Sequence, residues 1–163
     1  MSEPFRIGIA GLGTVGCGLV RLIQKNGDLL ADRCGRKIEI QAVSARDRNK
    51  DRGLSMEGIN WLENAGDMAA IKDLDAVIEL IGGEDGPALS LTKKSLQNGI
   101  PVITANKAML AHHGLELAEL AEKNNAALLY EAAVAGGIPV IKTLREGLAG
   151  NRIEAVYGIL NGT

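Results

Sequence analysis

The run Arg6-Ile7-Gly8-Ile9-Ala10-Gly11-Leu12-Gly13-Thr14-Val15-Gly16 restricts the fold of this chain more than any other stretch. Apolar residues lead into glycines spaced G-x-G-x-x-G, and a helical pattern starts at once, with Val15, Leu19, Leu22 and Ile23 at helical spacing. A strand, tight turn and helix of this kind set backbone N–H groups against the pyrophosphate of a dinucleotide. In that reading Gly11 permits the turn, Gly13 leaves room for the phosphate and Gly16 lets helix and strand pack closely. The helix N-terminus adds unpaired donors and a partial positive charge. A glycine-rich turn with no ligand is the alternative.

Strand-like and helix-like runs alternate along the rest of the chain. Strands are predicted at Phe5–Ala10, Ile38–Ser44, 76–81, 101–104, 127–130 and 153–160. Helices are predicted at Thr14–Lys25, Pro87–Gln97, 108–123 and 138–148, with one irregular helix within 54–71. Such alternation predicts an α/β fold, a doubly wound, mostly parallel sheet with right-handed crossovers. With 163 residues and no linker-like stretch, the chain reads as one dinucleotide-binding domain over 1–163. Twenty-one glycines and few aromatic residues suit an aliphatic core crossed by close backbone contacts.

Composition narrows the partners. A net charge of −2 carries no basic footprint for nucleic acid, and no apolar run has the length of a membrane span. The N-terminus lacks a signal-peptide pattern, so a cytoplasmic location is expected. Cys17 and Cys34 make neither a disulfide framework nor a metal spacing. Cys17, in the first helical turn, reads as a small buried filler.

In doubly wound folds ligands bind outside the carboxyl ends of the strands. After the second strand comes Ser44-Ala45-Arg46, where a guanidinium would pair with a 2′-phosphate; NADP is therefore favoured, and Asp47 keeps NAD open. Arg48, Lys50 and Arg52 read as a solvated charge run. Glu79, inside a buried strand, needs a partner, and Gly82 and Gly83 would admit a ligand to the strand end. Lys107 follows the fourth of these central strands and is either a ligand contact or a surface lysine. His112 and His113 read as surface residues or caps away from the strand ends. Glu131 opens a small-residue loop whose carbonyls suit a hard cation, or a packing surface for a second domain.

At these positions the chain resembles the nucleotide-binding domain of homoserine dehydrogenase. The resemblance rests on Gly-Leu-Gly-Thr-Val-Gly (11–16), Glu-Leu-Ile-Gly-Gly (79–83), Thr-Ala-Asn-Lys (104–107), Glu-Ala-Ala-Val-Ala-Gly-Gly-Ile-Pro (131–139) and Gly-Ile-Leu-Asn-Gly-Thr (158–163). It implies an enzyme that reduces L-aspartate 4-semialdehyde to L-homoserine with NAD(P)H, on the route to threonine, methionine and isoleucine. It implies cofactor contacts at Gly11, Leu12, Gly13, Thr14, Val15, Gly16, Arg46, Gly82, Thr104 and Lys107. It further implies a sodium ion near Glu131, Val134, Gly136 and Ile138. The family's substrate-binding, catalytic and dimerisation region follows Asn-Gly-Thr. The catalytic residues are therefore expected after Thr163 and none within 1–163, and the chain reads as an inactive fragment of a homo-oligomeric enzyme. Two other expectations compete: another two-domain dehydrogenase of amino-acid metabolism, or a stand-alone NAD(P) sensor.

Overall fold

The computed structural model describes residues 3–158. Six parallel strands form one sheet: β1 Phe5–Ala10, β2 Ile38–Ser44, β3 Asn60–Trp61, β4 Ala76–Glu79, β5 Val102–Thr104 and β6 Leu128–Leu129, in the spatial order β3-β2-β1-β4-β5-β6. Strand order reverses between β1 and β4, which is where a doubly wound sheet opens its binding crevice. The expected α/β doubly wound class is the one found.

Alternation along β1 assigns its two faces. Ile7 and Ile9 join one core with Val20 and Ile23 of helix α1 (Thr14–Lys25). Gly8 and Ala10 face the other side, where a Cβ on Gly8 would lie 3.1 Å from Met68 Sδ. That second core gathers Leu91 and Leu96 of α3 (Pro87–Gln97) with Met109, Leu117 and Ala121 of α4 (Lys107–Lys123). Helices thus cover both faces, and β1 beyond Arg6 and β4 up to Glu79 are apolar.

Several expectations need correction. Asn26-Gly27 ends α1, but a further helix, α2 (Gly27–Cys34), starts immediately and stops at Gly35 in the left-handed region. It buries no residue, so it carries almost no apolar stripe to be read. Residues 54–71 hold the one irregular helix expected, a 3-10 helix at Ala65–Ala70 capped by Asn64, and also the short strand β3, which was not expected. On α1 the buried stripe is Gly16, Cys17, Val20 and Ile23, while Val15 and Leu22 lie exposed. Leu115 of α4 is exposed as well.

The predicted helix 138–148 forms over 140–147 as one uninterrupted helical run that starts two residues late and passes from α to π geometry. A 3-10 turn, Glu131–Ala133, leads to the short α5 (Val140–Lys142) and then a π turn, Thr143–Gly147. Pro139 directly before α5 has no N–H to extend it backwards. The strand predicted at 153–160 is not formed at 153–158, and its last two positions lie outside the described residues. So does the end of the closing motif, from Ile159 to Thr163. No helix among the described residues is long and apolar enough to cross a membrane.

A candidate dinucleotide site at the carboxyl edge

The end of β1 is bonded on both sides. Gly11 N–H donates to Ser44 O of β2 at 2.8 Å, and Leu80 N–H, just past β4, donates to Ala10 O at 2.7 Å. The chain then turns through Gly11 at φ +103°. A side chain there would be strained and would also lie 2.8 Å from Ile81 N and closer still to Leu80 O. Gly16 sits against the Gly11 carbonyl, where a Cβ would collide. Gly13 differs from both. Its backbone is extended (φ −80°, ψ −160°), and nothing lies within 4 Å of where its Cβ would be.

Gly13 is also the N-cap of α1 and offers no side chain to the first-turn donors. The N–H groups of Thr14, Val15 and Gly16 are therefore left for an anion. Leu12 differs in kind, since its side chain is buried while its carbonyl accepts from the Cys17 thiol at 3.4 Å. Cys17 is thus a packed filler, as expected, and Cys34 is exposed.

Beside this turn opens a cleft of about 620 Å³, lined by Gly11 and Leu12, by Ser44, Arg46 and Lys50 after β2, and by Gly82 after β4. That volume lies in the range of small-molecule sites. Among the described residues Arg46 has no ion pair, and its guanidinium is exposed at the rim. Asp47 is partly committed, because one carboxylate oxygen accepts Asn49 N–H at 2.9 Å in a local turn. Arg48 reaches Glu63 at 3.9 Å.

Arg52 is not a solvated charge. Its guanidinium donates to the carbonyls of Asp47, Lys50 and Leu12 at 2.7, 2.8 and 3.3 Å, and lies 5.6 Å from the Trp61 ring centre. It ties the loop after β2 to the glycine turn. Nothing in the sequence separates it from the neighbouring arginines and lysine, so the pattern could not single it out.

On the far side of the turn, Glu79 is fully buried at the end of β4. Its Oε1 accepts from the N–H groups of Ile81 (2.7 Å) and Gly82 (3.2 Å), and its Oε2 accepts from the Thr104 hydroxyl (2.5 Å). Thr104 Oγ1 in turn accepts Asn106 N–H at 3.0 Å. The Asn106 amide donates to Gly83 O at 2.7 Å, and its Oδ1 caps α4 by accepting Met109 N–H at 3.1 Å. Asn106 was not singled out in the sequence; the signal that could have found it is an N-cap residue type just before a helical run. Thr104 is 1% exposed with its proton given to Glu79, so it supports the edge from beneath. Lys107, one residue past Asn106, is exposed and free of any ion pair among the described residues.

His112 and His113 are not remote from the strand ends. They meet Glu84 at 3.2 Å and Asp85 at 2.8 Å, both in the loop after β4, because α4 passes alongside that loop. Past β6, Glu131 is half-buried, and its two oxygens accept the N–H groups of Ile141 (3.1 Å) and Lys142 (2.7 Å). Between them, residues 134–138 turn through Ala135 at φ +50° and Gly137 at φ +86°. The Ile138 carbonyl accepts Val140 N–H at 2.8 Å. Among the described residues no cluster of three His, Cys, Asp or Glu side chains is placed to hold a metal. Thr163, after which the catalytic groups are expected, is not among the described residues, and the site built here is one of binding groups only.

Comparison with known proteins agrees with this arrangement. Residues 11–131 match the family model described as the NAD-binding domain of homoserine dehydrogenase. Homoserine dehydrogenase from Neisseria gonorrhoeae is 44% identical over 161 residues, covering 99% of this chain and 37% of that protein. The Helicobacter pylori enzyme is 42% identical over 163 residues, again with 37% of its length covered. The crystal structure of a homoserine dehydrogenase from Thiobacillus denitrificans superposes with a TM-score of 0.82 at 40% identity, covering 93% of this chain and 35% of that one. The chain therefore spans a little over a third of the curated relatives it matches. By the match over residues 11–131 and the shared fold, the chain belongs to the family of homoserine dehydrogenase NAD-binding domains.

Proposed function

We propose that this chain is the cofactor-binding part of an enzyme that interconverts L-aspartate 4-semialdehyde and L-homoserine, and that it takes NADP(H) in preference to NAD(H). The observation that carries the reading is the open space at Gly13, at the uncapped N-terminus of α1, next to a cleft with Arg46 at its rim. The first-turn N–H groups of α1 would receive the pyrophosphate. Arg46, with Lys50 near it in the cleft, would receive the 2′-phosphate through charge-assisted hydrogen bonds. Gly82 and Lys107 lie on the β4–β5 side, where the nicotinamide half of a dinucleotide belongs in a doubly wound sheet. When bound, the nicotinamide supplies the hydride. The residues of this chain bind and orient it and form one wall of the crevice.

The substrate ligands and the proton donor are assigned to the part of the relatives' length that this chain does not span. The same reading makes the parent enzyme a cytoplasmic homo-oligomer. It also gives the loop after Glu131 a sodium ion, held by oxygens of Glu131, Val134, Gly136 and Ile138. What supports this is the tight turning of the loop, with Ala135 and Gly137 both at positive φ, next to the Glu131 carboxylate, since a hard cation takes carboxylate and backbone carbonyl oxygens.

Calorimetric titration of the 163-residue chain tests the reading. NADPH should bind more tightly than NADH, and the chain alone should bind without turning over homoserine, since hydride transfer needs both reactants held about 3–3.5 Å apart. No heat with either dinucleotide would sink the proposal.

A further inference from the structure

We infer that Glu79, acting through Thr104 and Asn106, is a positioning residue for the nicotinamide half of the cofactor. This rests on the cofactor reading above. A carboxylate in the middle of a parallel sheet is expensive to bury, and an apolar side chain would suit the strand better. Glu79 accepts three hydrogen bonds there, and all three lead to the crevice. Two hold the N–H groups that open the loop after β4, and the third holds the hydroxyl that starts the loop after β5.

Asn106 closes the circuit, since its amide returns to Gly83 O while its oxygen starts α4. Both loops are therefore fixed by one buried group. The loop after β4 would otherwise be loose: Gly82, Gly83 and Gly86 all have positive φ, and the side chains between them, Glu84 and Asp85, reach His112 and His113 at the surface of α4. Glycines supply a thin wall against which a flat ring can lie, but no stiffness of their own. The buried circuit supplies the stiffness on the β4–β5 side, at Gly83 and Asn106. The cleft beside Arg46, whose wall Gly82 also shares, is held chiefly by Arg52.

This division gives the test. The 163-residue chain is titrated with NADPH and with ADP-ribose 2′-phosphate, which keeps the adenosine half and lacks the nicotinamide. Thr104→Val removes the bridging hydroxyl at nearly constant volume. Asn106→Ser keeps a capping oxygen but has no amide to reach Gly83. Each variant should bind NADPH about tenfold more weakly and ADP-ribose 2′-phosphate within about twofold of wild type, as expected for losing a hydrogen bond to a charged or backbone group on one side only. Thr104→Ser should restore NADPH binding. Equal losses for both ligands, or none for either, overturn the inference. If Thr104→Val does not fold, Asn106→Ser decides alone, because its change lies at the rim of the circuit. A wild-type chain that binds neither ligand would instead overturn the cofactor reading on which this one stands.

Discussion

Replacing the three motif glycines one at a time with alanine should separate two jobs that the turn performs at once. At Gly13 the backbone is extended and no atom lies within 4 Å of the new methyl group. Folding should therefore be unaffected or gain up to about 1 kcal/mol, because alanine has less freedom to lose in the unfolded chain. The bound pyrophosphate, however, needs that space. Displacing it from a helix N–H donor removes about 1.5–3 kcal/mol, or roughly tenfold to a hundredfold in affinity for each donor lost.

Gly11→Ala is the reverse case. Its φ of +103° and the neighbouring Leu80–Ile81 backbone leave no room for a methyl group. Strain of about 1–3 kcal/mol and overpacking of similar size should lower the melting temperature by about 5–20 °C in a domain of this length. Gly16→Ala should behave likewise, since its methyl would meet the Gly11 carbonyl. Melting followed by circular dichroism and calorimetry with NADPH measure the two effects. If Gly13→Ala melts as low as Gly11→Ala, or binds NADPH as wild type does, the assignment of the pyrophosphate to this turn is wrong.

Arg46→Ala should weaken NADPH binding about tenfold or more and leave NADH nearly unchanged; equal losses by calorimetry would remove the 2′-phosphate assignment. Arg52→Met keeps apolar contact with Trp61 but strips three carbonyls of their donor, so it should lower stability by about 1–2 kcal/mol in urea melts and weaken NADPH and ADP-ribose 2′-phosphate together. A variant as stable as wild type would return Arg52 to the solvated charge run. Glu131→Ala in the full-length enzyme should abolish any difference in melting temperature between sodium and a large organic cation; if wild type shows no such difference, the loop is not a cation site.

Where the sequence was legible, one physical signal dominated locally. The bounds of β1, α1, β2 and α3 coincide with the expected ones; β1, α1 and α3 combine apolar patterning with a glycine, asparagine or proline boundary, and β2 has alternating apolar residues between charged flanks. Helix α2 escaped because Asn26-Gly27 looks like a stop and the following residues pack on the core only through the partly buried Leu30. The segment 138–148 is helical over 140–147, where Val140, Ile141 and Leu144 keep helical spacing, but it starts two residues late and turns to π geometry after Lys142. There the Glu131 carboxylate and Pro139 decide the geometry, and both act from outside the periodic run.

Candidate site residues were legible for a different reason: the carboxyl ends of strands can be located before any side chain is placed. What each residue does there was less accessible. Arg46 and Arg52 are chemically identical in a sequence, yet one is exposed at the cleft rim and the other holds three carbonyls. Glu79 and Thr104 are 25 positions apart in the chain, and their contact exists only because β4 and β5 are neighbours in register, with Glu79 opposite Thr104.

The collision that bars any side chain at Gly11 also means that the turn after β1 and the start of the loop after β4 touch backbone to backbone. No side chain intervenes to act as a cushion. Leu80 N–H on Ala10 O and Gly11 N–H on Ser44 O fasten the same spot to both neighbouring strands. The floor of the crevice is thus a single rigid plate running from β2 through β1 to β4. On the proposed reading, a dinucleotide bound there would meet a floor already set, and any closing movement would have to come from the walls. Local opening of this plate would break bonds in three strands together, so its amides should exchange with solvent only as fast as the whole sheet unfolds.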